Sequence, residues 1–115
     1  KINLNKLGNQ LEFNSYFPSK TNVHFVEIKS RNLLKVLVWE RGCGPTLACG
    51  TGACAVAVVT HSLGLCESDV IVELPGGKLQ IIWPNSLSNV YMIGPSQKVY
   101  SGKLTLEESP TTCLS

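Results

Sequence analysis

A glycine-rich segment between Trp39 and Ala53 holds the side chains of this sequence whose types are best suited to chemistry. Glu40 and Arg41 are adjacent, and four glycines and two cysteines follow in the same segment. Glycines allow the backbone to turn sharply and to approach a ligand closely. A guanidinium binds a carboxylate as a two-pronged donor, and a carboxylate suits an ammonium group. The segment therefore predicts a site for a small zwitterion with amino-acid ends.

Cys49 is the predicted base or nucleophile of this segment. It precedes a predicted helix over Thr51–Leu63 that opens after glycines and closes at Gly64. The first amides of a helix have no partner within it, and with the helix dipole they favour an anion at that end. These amides belong to Gly50, Thr51 and Gly52. They favour the thiolate form of Cys49, and a ligand carboxylate also fits there.

The other cysteines carry less information. A free cysteine usually behaves as a small buried hydrophobe, so we interpret Cys43, Cys54 and Cys66 as packing residues. Cys113 lies in the tail. Five cysteines are an odd number without a paired framework, which indicates free thiols and a reducing compartment.

Three other motif interpretations are disfavoured. Gly50–Ala55 matches the form of a dinucleotide-binding loop, but the preceding strand ends too early, near Trp39, and Asp69 opens a strand instead of ending one. No Gly-Lys pair directly ends the loop, as a P-loop requires. The cysteines lack the close spacing of a zinc site, and we interpret His24 and His61 as surface or strand-packing residues. We therefore expect no bound metal.

One long helix and several strands must position the glycine-rich segment. The predicted helix has small or apolar residues on every side, which is typical of a helix enclosed by other structure. Residues 75–77, Pro-Gly-Gly, predict a tight hairpin. Branched, aromatic and apolar residues predict strands over Asn22–Lys29, Leu33–Trp39, Asp69–Leu74, Lys78–Trp83, Asn89–Ile93 and Lys98–Leu106. The pattern predicts an α+β fold of mainly antiparallel strands wrapped around one long buried central helix.

The composition limits the other classes of protein. The chain of 115 residues has room for one domain, which we place at residues 1–106, with a loose tail at 107–115. Only 16% of the residues are charged, against about 25% in an average soluble domain, so we expect one face to be covered by other protein. The net charge of +2 forms no basic stripe, which argues against a nucleic-acid partner. No apolar stretch is long enough to span a membrane.

The segment around Cys49 resembles the C-terminal active-site motif of the diaminopimelate epimerase family, cofactor-independent isomerases of lysine biosynthesis. The motif is Glu40-Arg41-Gly42 followed by residues 46–53, Thr-Leu-Ala-Cys-Gly-Thr-Gly-Ala. The resemblance extends upstream through Phe17-Pro18 and residues 21–26, and downstream through residues 74–77 and 90–95. It covers nearly the whole chain except the tail.

The resemblance implies a two-base isomerisation without pyridoxal phosphate or any other cofactor. One cysteine thiolate removes the α-proton of diaminopimelate, and a second cysteine thiol returns a proton on the opposite face. Cys49 corresponds to one of these two cysteines. The implied substrate-binding residues are Asn22, Glu40, Arg41, Gly50 and Thr51. The glycine and the threonine would hold the carboxylate of the reacting centre, and the other three would bind the distal ammonium and carboxylate.

The sequence departs from the family in one respect. Family members have two pseudo-symmetric lobes, and their second cysteine lies in an N-terminal Cys-Gly-Asn context that this sequence lacks. Cys43 and Cys54 are too close to Cys49 along the chain to lie on the opposite side of a substrate carbon. We therefore expect a partial chain that is inactive alone, with the missing N-terminal lobe as its partner and a homodimer as a further expectation.

Two alternatives stay open. A proline racemase-like isomerase has the same fold, but a small cyclic substrate has no distal ammonium for Glu40 and Arg41 to bind. A non-catalytic anion-binding or oligomerisation domain would keep only the helix end. The chain opens without a methionine, a signal region or a transit-like composition, so we expect a piece of a longer protein. The reducing compartment that the free cysteines indicate leads us to expect a cytoplasmic location, with a plastid as the alternative.

Overall fold

The structure is a computed structural model that describes residues 2–47, 49–95 and 101–106. In these ranges the chain forms two helices and six strands. In chain order they are α1 (Leu4–Glu12), β1 (Val23–Ser30), β2 (Leu33–Glu40), β3 (Gly44–Thr46), α2 (Gly50–Ser62), β4 (Asp69–Leu74), β5 (Gly77–Ile82) and β6 (Tyr91–Ile93). The α+β class predicted from the sequence is confirmed.

The six strands form one mixed sheet in the order β1-β2-β4-β5-β6, with β3 paired to β2. Strand β2 is antiparallel to β1 and β3 but parallel to β4, with Leu34 opposite Val72. A parallel pair needs a long crossover connection, and α2 lies in that connection. The remaining pairs are antiparallel, so the prediction of mainly antiparallel strands holds with one exception.

The core lies between one face of this sheet and α2. Alternate residues of β2 point to the helix, and Leu34, Val36 and Val38 are completely buried. They meet a second set of buried apolar residues: Ala53, Val56, Ala57, Cys66, Val70, Val72, Leu74 and Ile81. Fully burying one such side chain stabilises the fold by about 1.5–3 kcal/mol. Because three residues of β2 are fully buried, the strand that ends at the candidate site also lies at the centre of the core.

Helix α2 matches the predicted helix closely, but it is not enclosed by the described part of the chain. It begins after Cys49 and is followed by Gly64, whose φ of 74° is the left-handed conformation that glycine adopts readily. Its sheet-facing side is buried, whereas Ala55, Val59 and Ser62 are exposed. The long, fully buried central helix predicted from the sequence is therefore not seen; small residues on every side made α2 resemble an enclosed helix.

Two elements were not predicted from the sequence. Helix α1 starts at Asn3, whose Oδ1 accepts the Lys6 backbone N–H at 3.1 Å. Gly8 interrupts it, and a glycine weakens the sequence signal for a helix. A larger residue does not fit there, because the Trp39 ring occupies the place of a Cβ at Gly8. Strand β3 has only three residues, including Pro45, so it lacks the alternating pattern of a longer strand.

The end of the chain also differs from prediction. The predicted strand at Asn89–Ile93 is shorter, Tyr91–Ile93. The strand predicted over Lys98–Leu106 does not form at residues 101–106, where Leu104 and Leu106 are exposed and bury no apolar face. Residues 98–100 and the predicted tail at 107–115 lie outside the described residues. In the described ranges, neither helix has the length and apolar character needed to cross a bilayer.

Candidate active site

The end of β2 and the turn that follows it carry two predicted site residues, Glu40 and Arg41. Glu40 pairs with Gly44 across the two strands, and the Cys43 backbone N–H donates to the Glu40 carbonyl at 3.1 Å. Gly42 and Gly44 both have φ of 76°, a conformation that side chains disfavour. The glycines of this segment therefore form a tight hairpin that places Glu40 and Arg41 at the end of the central strand.

This turn opens onto a small polar cavity of about 290 Å³. Its lining residues are Lys20, Thr21, Asn22, Glu40, Arg41 and Cys43. The Arg41 backbone N–H donates to Asn22 Oδ1 at 2.7 Å, and its guanidinium donates to the Ser19 carbonyl at 3.1 Å. The structure thus brings Asn22, Glu40 and Arg41 together. Two cationic side chains and one carboxylate give the cavity the mixed charge that suits a zwitterion.

Cys43 lines this cavity and is exposed, so the prediction that it is a packing residue is wrong. The glycines on either side of it turn its side chain outward instead of into the core. The interpretation of Cys54 and Cys66 as packing residues fits the structure better. Cys66 is buried and Cys54 partly buried, and burial raises the pKa of both thiols.

Cys49 is the residue that caps the N-terminus of α2. Its Sγ accepts the Gly52 backbone N–H at 3.3 Å and lies 3.7 Å from the Thr51 hydroxyl. Its carbonyl accepts the Ala53 N–H at 2.8 Å, which is the first turn of the helix. The side chain is half-buried. The sulfur therefore lies against the helix amides, where the sequence predicted it, and solvent still reaches the residue.

Two neighbouring elements hold the start of α2. The Gly76 N–H, in the predicted hairpin, donates to the Leu47 carbonyl at 2.8 Å, two residues before Cys49. A Cβ on Gly50 would come within 3.2 Å of Met92 Sδ from β6. The β4–β5 hairpin and strand β6 thus hold the loop that carries the Cys49 thiol.

His24 connects the two parts of the site. Its ring lies against the helix start so closely that a Cβ on Gly52 would be 2.7 Å from His24 Cε1. Burial lowers the pKa of His24, and the Glu40 carboxylate opposes this effect. Among the described residues its Nε2 has no hydrogen-bond partner. The polar cavity is not lined by Cys49, Gly50 or Thr51. His24 lies between the start of α2, which carries these residues, and Glu40.

Sequence reasoning missed Glu12 and understated His24. Glu12 lies in α1, which the sequence did not predict, and its carboxylate accepts hydrogen bonds from Trp39 and Gly42. The signal that could have found it is weak: one acidic residue in an otherwise uncharged stretch between Lys6 and Lys20. In the described part of the chain, no three His, Cys, Asp or Glu side chains converge as metal ligands would.

A thiol at a helix N-terminus and a cavity with both signs of charge, on an α+β scaffold, are compatible with a small-molecule site. Comparison with known proteins makes this more specific. The sequence model of the diaminopimelate epimerase family matches residues 1–99, and the chain belongs to that family.

Individual relatives agree with this assignment. The diaminopimelate epimerase of Prochlorococcus marinus (strain NATL1A) is 57% identical over 99 residues, which are 86% of this chain and 35% of the relative. The protein of the same name from Natranaerobius thermophilus is 56% identical over 86% of this chain and 33% of its own length. A rice relative (Oryza sativa subsp. japonica), named as the chloroplastic enzyme, is 48% identical over 88% of this chain and 28% of its own length. The chain thus spans about a third of the curated relatives it matches.

Proposed function

We propose that this chain supplies one of the two acid/base groups of a diaminopimelate epimerase, which interconverts LL- and meso-diaminopimelate in lysine biosynthesis. The observation that carries the proposal is the Cys49 sulfur, which accepts the Gly52 amide at the N-terminus of α2. The field of a helix N-terminus stabilises an anion, so a thiolate formed there can act as the base.

The proposed reaction moves one proton on each face of the substrate carbon. The Cys49 thiolate takes the α-proton and becomes a thiol, and the carbanion that forms is stabilised by its carboxylate at the amides of Gly50 and Thr51. A second thiol on the opposite face gives its proton to the same carbon and becomes a thiolate. One proton is removed and one returned, so configuration inverts without a cofactor.

The polar cavity is the proposed site for the distal end of the substrate. Arg41 and Lys20 provide cations for the distal carboxylate, and Glu40 provides an anion for the distal ammonium. Asn22 Oδ1 holds the Arg41 backbone, which leaves the Asn22 amide nitrogen as a donor to the substrate. A proline-sized substrate would leave these charges without partners.

The second thiol must come from outside residues 1–106, which we propose to be part of a C-terminal lobe. The proposed partner is an N-terminal lobe that also covers the exposed side of α2 and completes the enclosure of that helix. The proposed compartment is the cytoplasm or, as the name of the rice relative indicates for that protein, a plastid. Imaging of the tagged product of the full coding sequence distinguishes the two compartments.

A chimera tests the proposal. The 99 residues of this chain that match the Prochlorococcus marinus NATL1A protein replace their counterparts in that protein. The product is incubated with LL-diaminopimelate in deuterated water. We expect meso product with deuterium at the α-carbon. Cys49→Ser should lower kcat by about 10²–10⁴-fold, the usual contribution of one acid/base group.

Cys54→Ala is the matched control, because it removes a thiol from the same helix away from the helix start. It should leave kcat within a few-fold of the unmodified chimera. A folded chimera that is inactive while the parent enzyme is active would refute the proposed function. Full activity of the Cys49→Ser chimera would refute the role of that sulfur.

A further inference from the structure

A buried carboxylate lies directly behind the turn that carries Glu40 and Arg41. Among the described residues, Glu12 is the only buried acidic side chain, with 3% of its surface exposed. Its Oε2 accepts the Trp39 indole N–H at 2.7 Å, and its Oε1 accepts the Gly42 backbone N–H at 2.8 Å. The two donors are the residues immediately before and after the Glu40-Arg41 pair.

A buried carboxylate lowers stability unless its oxygens are bonded or paired. In the described part of the chain Glu12 forms no ion pair, so the two N–H donors are its main compensation. They lower the pKa of Glu12, and the more distant charges of Lys20 and Arg41 act in the same direction. Glu12 is therefore ionised at neutral pH.

The hydrogen bonds of the turn show what this carboxylate does. The Arg41 N–H donates to Asn22, the Gly42 N–H to Glu12, and the Cys43 N–H to the carbonyl of Glu40. All three successive amides of the turn are thus used within the protein. They cannot bind a substrate anion, but they hold the turn in one conformation before any ligand arrives.

We propose that Glu12 is a positioning residue, whose carboxylate fixes the β2–β3 turn so that Glu40 and Arg41 face the cavity in the geometry that binds the distal amino-acid end of the substrate. The benefit of the fixed turn for the substrate rests on the proposed function. A preformed turn loses less conformational entropy on binding than a mobile one. The competing explanation is that Glu12 only attaches α1 to the sheet.

A substitution and its rescue separate these two roles. In Glu12→Gln the side chain keeps its shape but has one acceptor oxygen, and its NH₂ group must face one of the two N–H donors. One of the two hydrogen bonds is then lost, and the Gly42 N–H is left with at best a neutral acceptor in place of a carboxylate. Adding Trp39→Phe removes the indole donor, so the glutamine oxygen can accept the Gly42 N–H without conflict. A residue that only attached α1 would show no rescue, because the double variant has lost the Trp39 bond entirely.

Amide hydrogen exchange in the whole ¹⁵N-labelled chain measures the effect. We expect Glu12→Gln to speed exchange of the Arg41 and Gly42 amides by about tenfold, the effect of one lost bond to a charged acceptor. The Val72 amide in β4 reports global stability and should change less. Glu12→Gln with Trp39→Phe should return the two turn amides to within about threefold of the original rates. Glu67→Gln, which removes an exposed carboxylate paired with Arg31, is the control and should leave them unchanged.

Two outcomes would overturn the proposal. One is a Gly42 exchange rate that does not change in Glu12→Gln, or that changes only in proportion to Val72. The other is a double variant whose turn amides, relative to Val72, exchange faster than those of Glu12→Gln.

A titration of the same samples tests the link to the substrate. Lysine differs from diaminopimelate in lacking the distal carboxylate, so the unmodified chain should bind meso-diaminopimelate more tightly than lysine. Glu12→Gln should bring the ratio of the two dissociation constants closer to one, and the double variant should restore it. An unmodified chain that shows no preference would count against the proposed function, and the ligand-free exchange rates would still decide the role of Glu12 in the turn.

Discussion

The sulfur of Cys49 has a structural role and a proposed chemical role. It accepts the Gly52 N–H and so caps α2, and the same sulfur is the proposed acid/base group. A cap and a proton carrier require different properties of the side chain, because any good acceptor can cap a helix but only an ionisable group of suitable strength can carry the proton. Substitution can therefore separate stability from activity at this position.

Cys49→Ala should lower the free energy of unfolding by about 0.5–2 kcal/mol, the usual cost of losing an N-cap acceptor. Cys49→Ser should be close to the unmodified chain, because a serine hydroxyl also accepts the Gly52 N–H. Both variants should lose the acid/base function in the chimera. Urea denaturation measures the stability of each, and an alanine variant as stable as the unmodified chain would show that this hydrogen bond does not stabilise the helix.

Gly52 has no room for a side chain, because the ring of His24 lies against it. Alanine in a helix is normally more stable than glycine by about 0.5–1 kcal/mol. We expect Gly52→Ala instead to destabilise the chain by about 1–3 kcal/mol, the usual cost of overpacking. Adding His24→Ala should recover part of that loss, as judged by thermal unfolding. A stabilised Gly52→Ala variant would contradict the contact.

His24 should make the folded chain less stable in mild acid. Its pKa is lowered by burial, whereas in the unfolded chain it lies near the ordinary value of about 6.5. As pH falls through that value, the unfolded state takes up a proton that the folded state resists, so stability decreases. Unfolding free energies at several pH values should show this slope weakened in His24→Gln. Glu40→Gln should steepen it, because the Glu40 carboxylate is the nearby charge that favours protonated His24.

Strand β2 links the core to the site. Its inner residues are buried against α2, its sides pair with three other strands, and its last residue is Glu40. The turn that follows is fastened from α1 by Glu12 and from the start of β1 by Asn22. Damage to the centre of β2 should therefore weaken the whole sheet and the site with it.

Leu34→Ala tests this role of β2. Leu34 is completely buried, between Ile28 of β1 and Val72 of β4 in the sheet. We expect a loss of about 2–5 kcal/mol in the free energy of unfolding, from lost burial and the cavity left behind. Leu87→Ala is the control, because Leu87 is 97% exposed, and it should change stability by less than about 0.5 kcal/mol. Equal effects of the two changes would mean that Leu34 is not in the core.

The molecule as a whole presents apolar surface where α2 and the edge strand β1 face outward. Val59 and Leu63 at the end of the helix are exposed, as are Val26 and Ile28 on β1. The low charged fraction of the sequence agrees with this surface. The chain spans about a third of the length of its relatives, and the proposed N-terminal lobe provides a surface to cover these residues.

This chain alone should not interconvert LL- and meso-diaminopimelate. Inversion needs acid/base groups on both faces of the carbon, and in the described part of the chain Cys49 is the one group that we propose for this role. Incubation with LL-diaminopimelate in deuterated water, analysed by chiral chromatography and mass spectrometry, should give no meso product. The chimera described above is the positive control. Meso product with α-deuterium from the isolated chain would show that a second group, such as Cys43, completes the site.

Local patterns were enough to predict α2, the hairpin at residues 75–77 and most strands, because helix ends, turns and alternating burial depend on residues close together in the sequence. They also placed Cys49 at the helix start and grouped Glu40 with Arg41. Contacts between distant residues required the folded chain. Glu12 meets Trp39 and Gly42 across about thirty residues, His24 meets Gly52, and β2 pairs in parallel with β4 across the α2 crossover. Such contacts depend on how the helices cross the sheet, and the packing of complete elements sets that geometry.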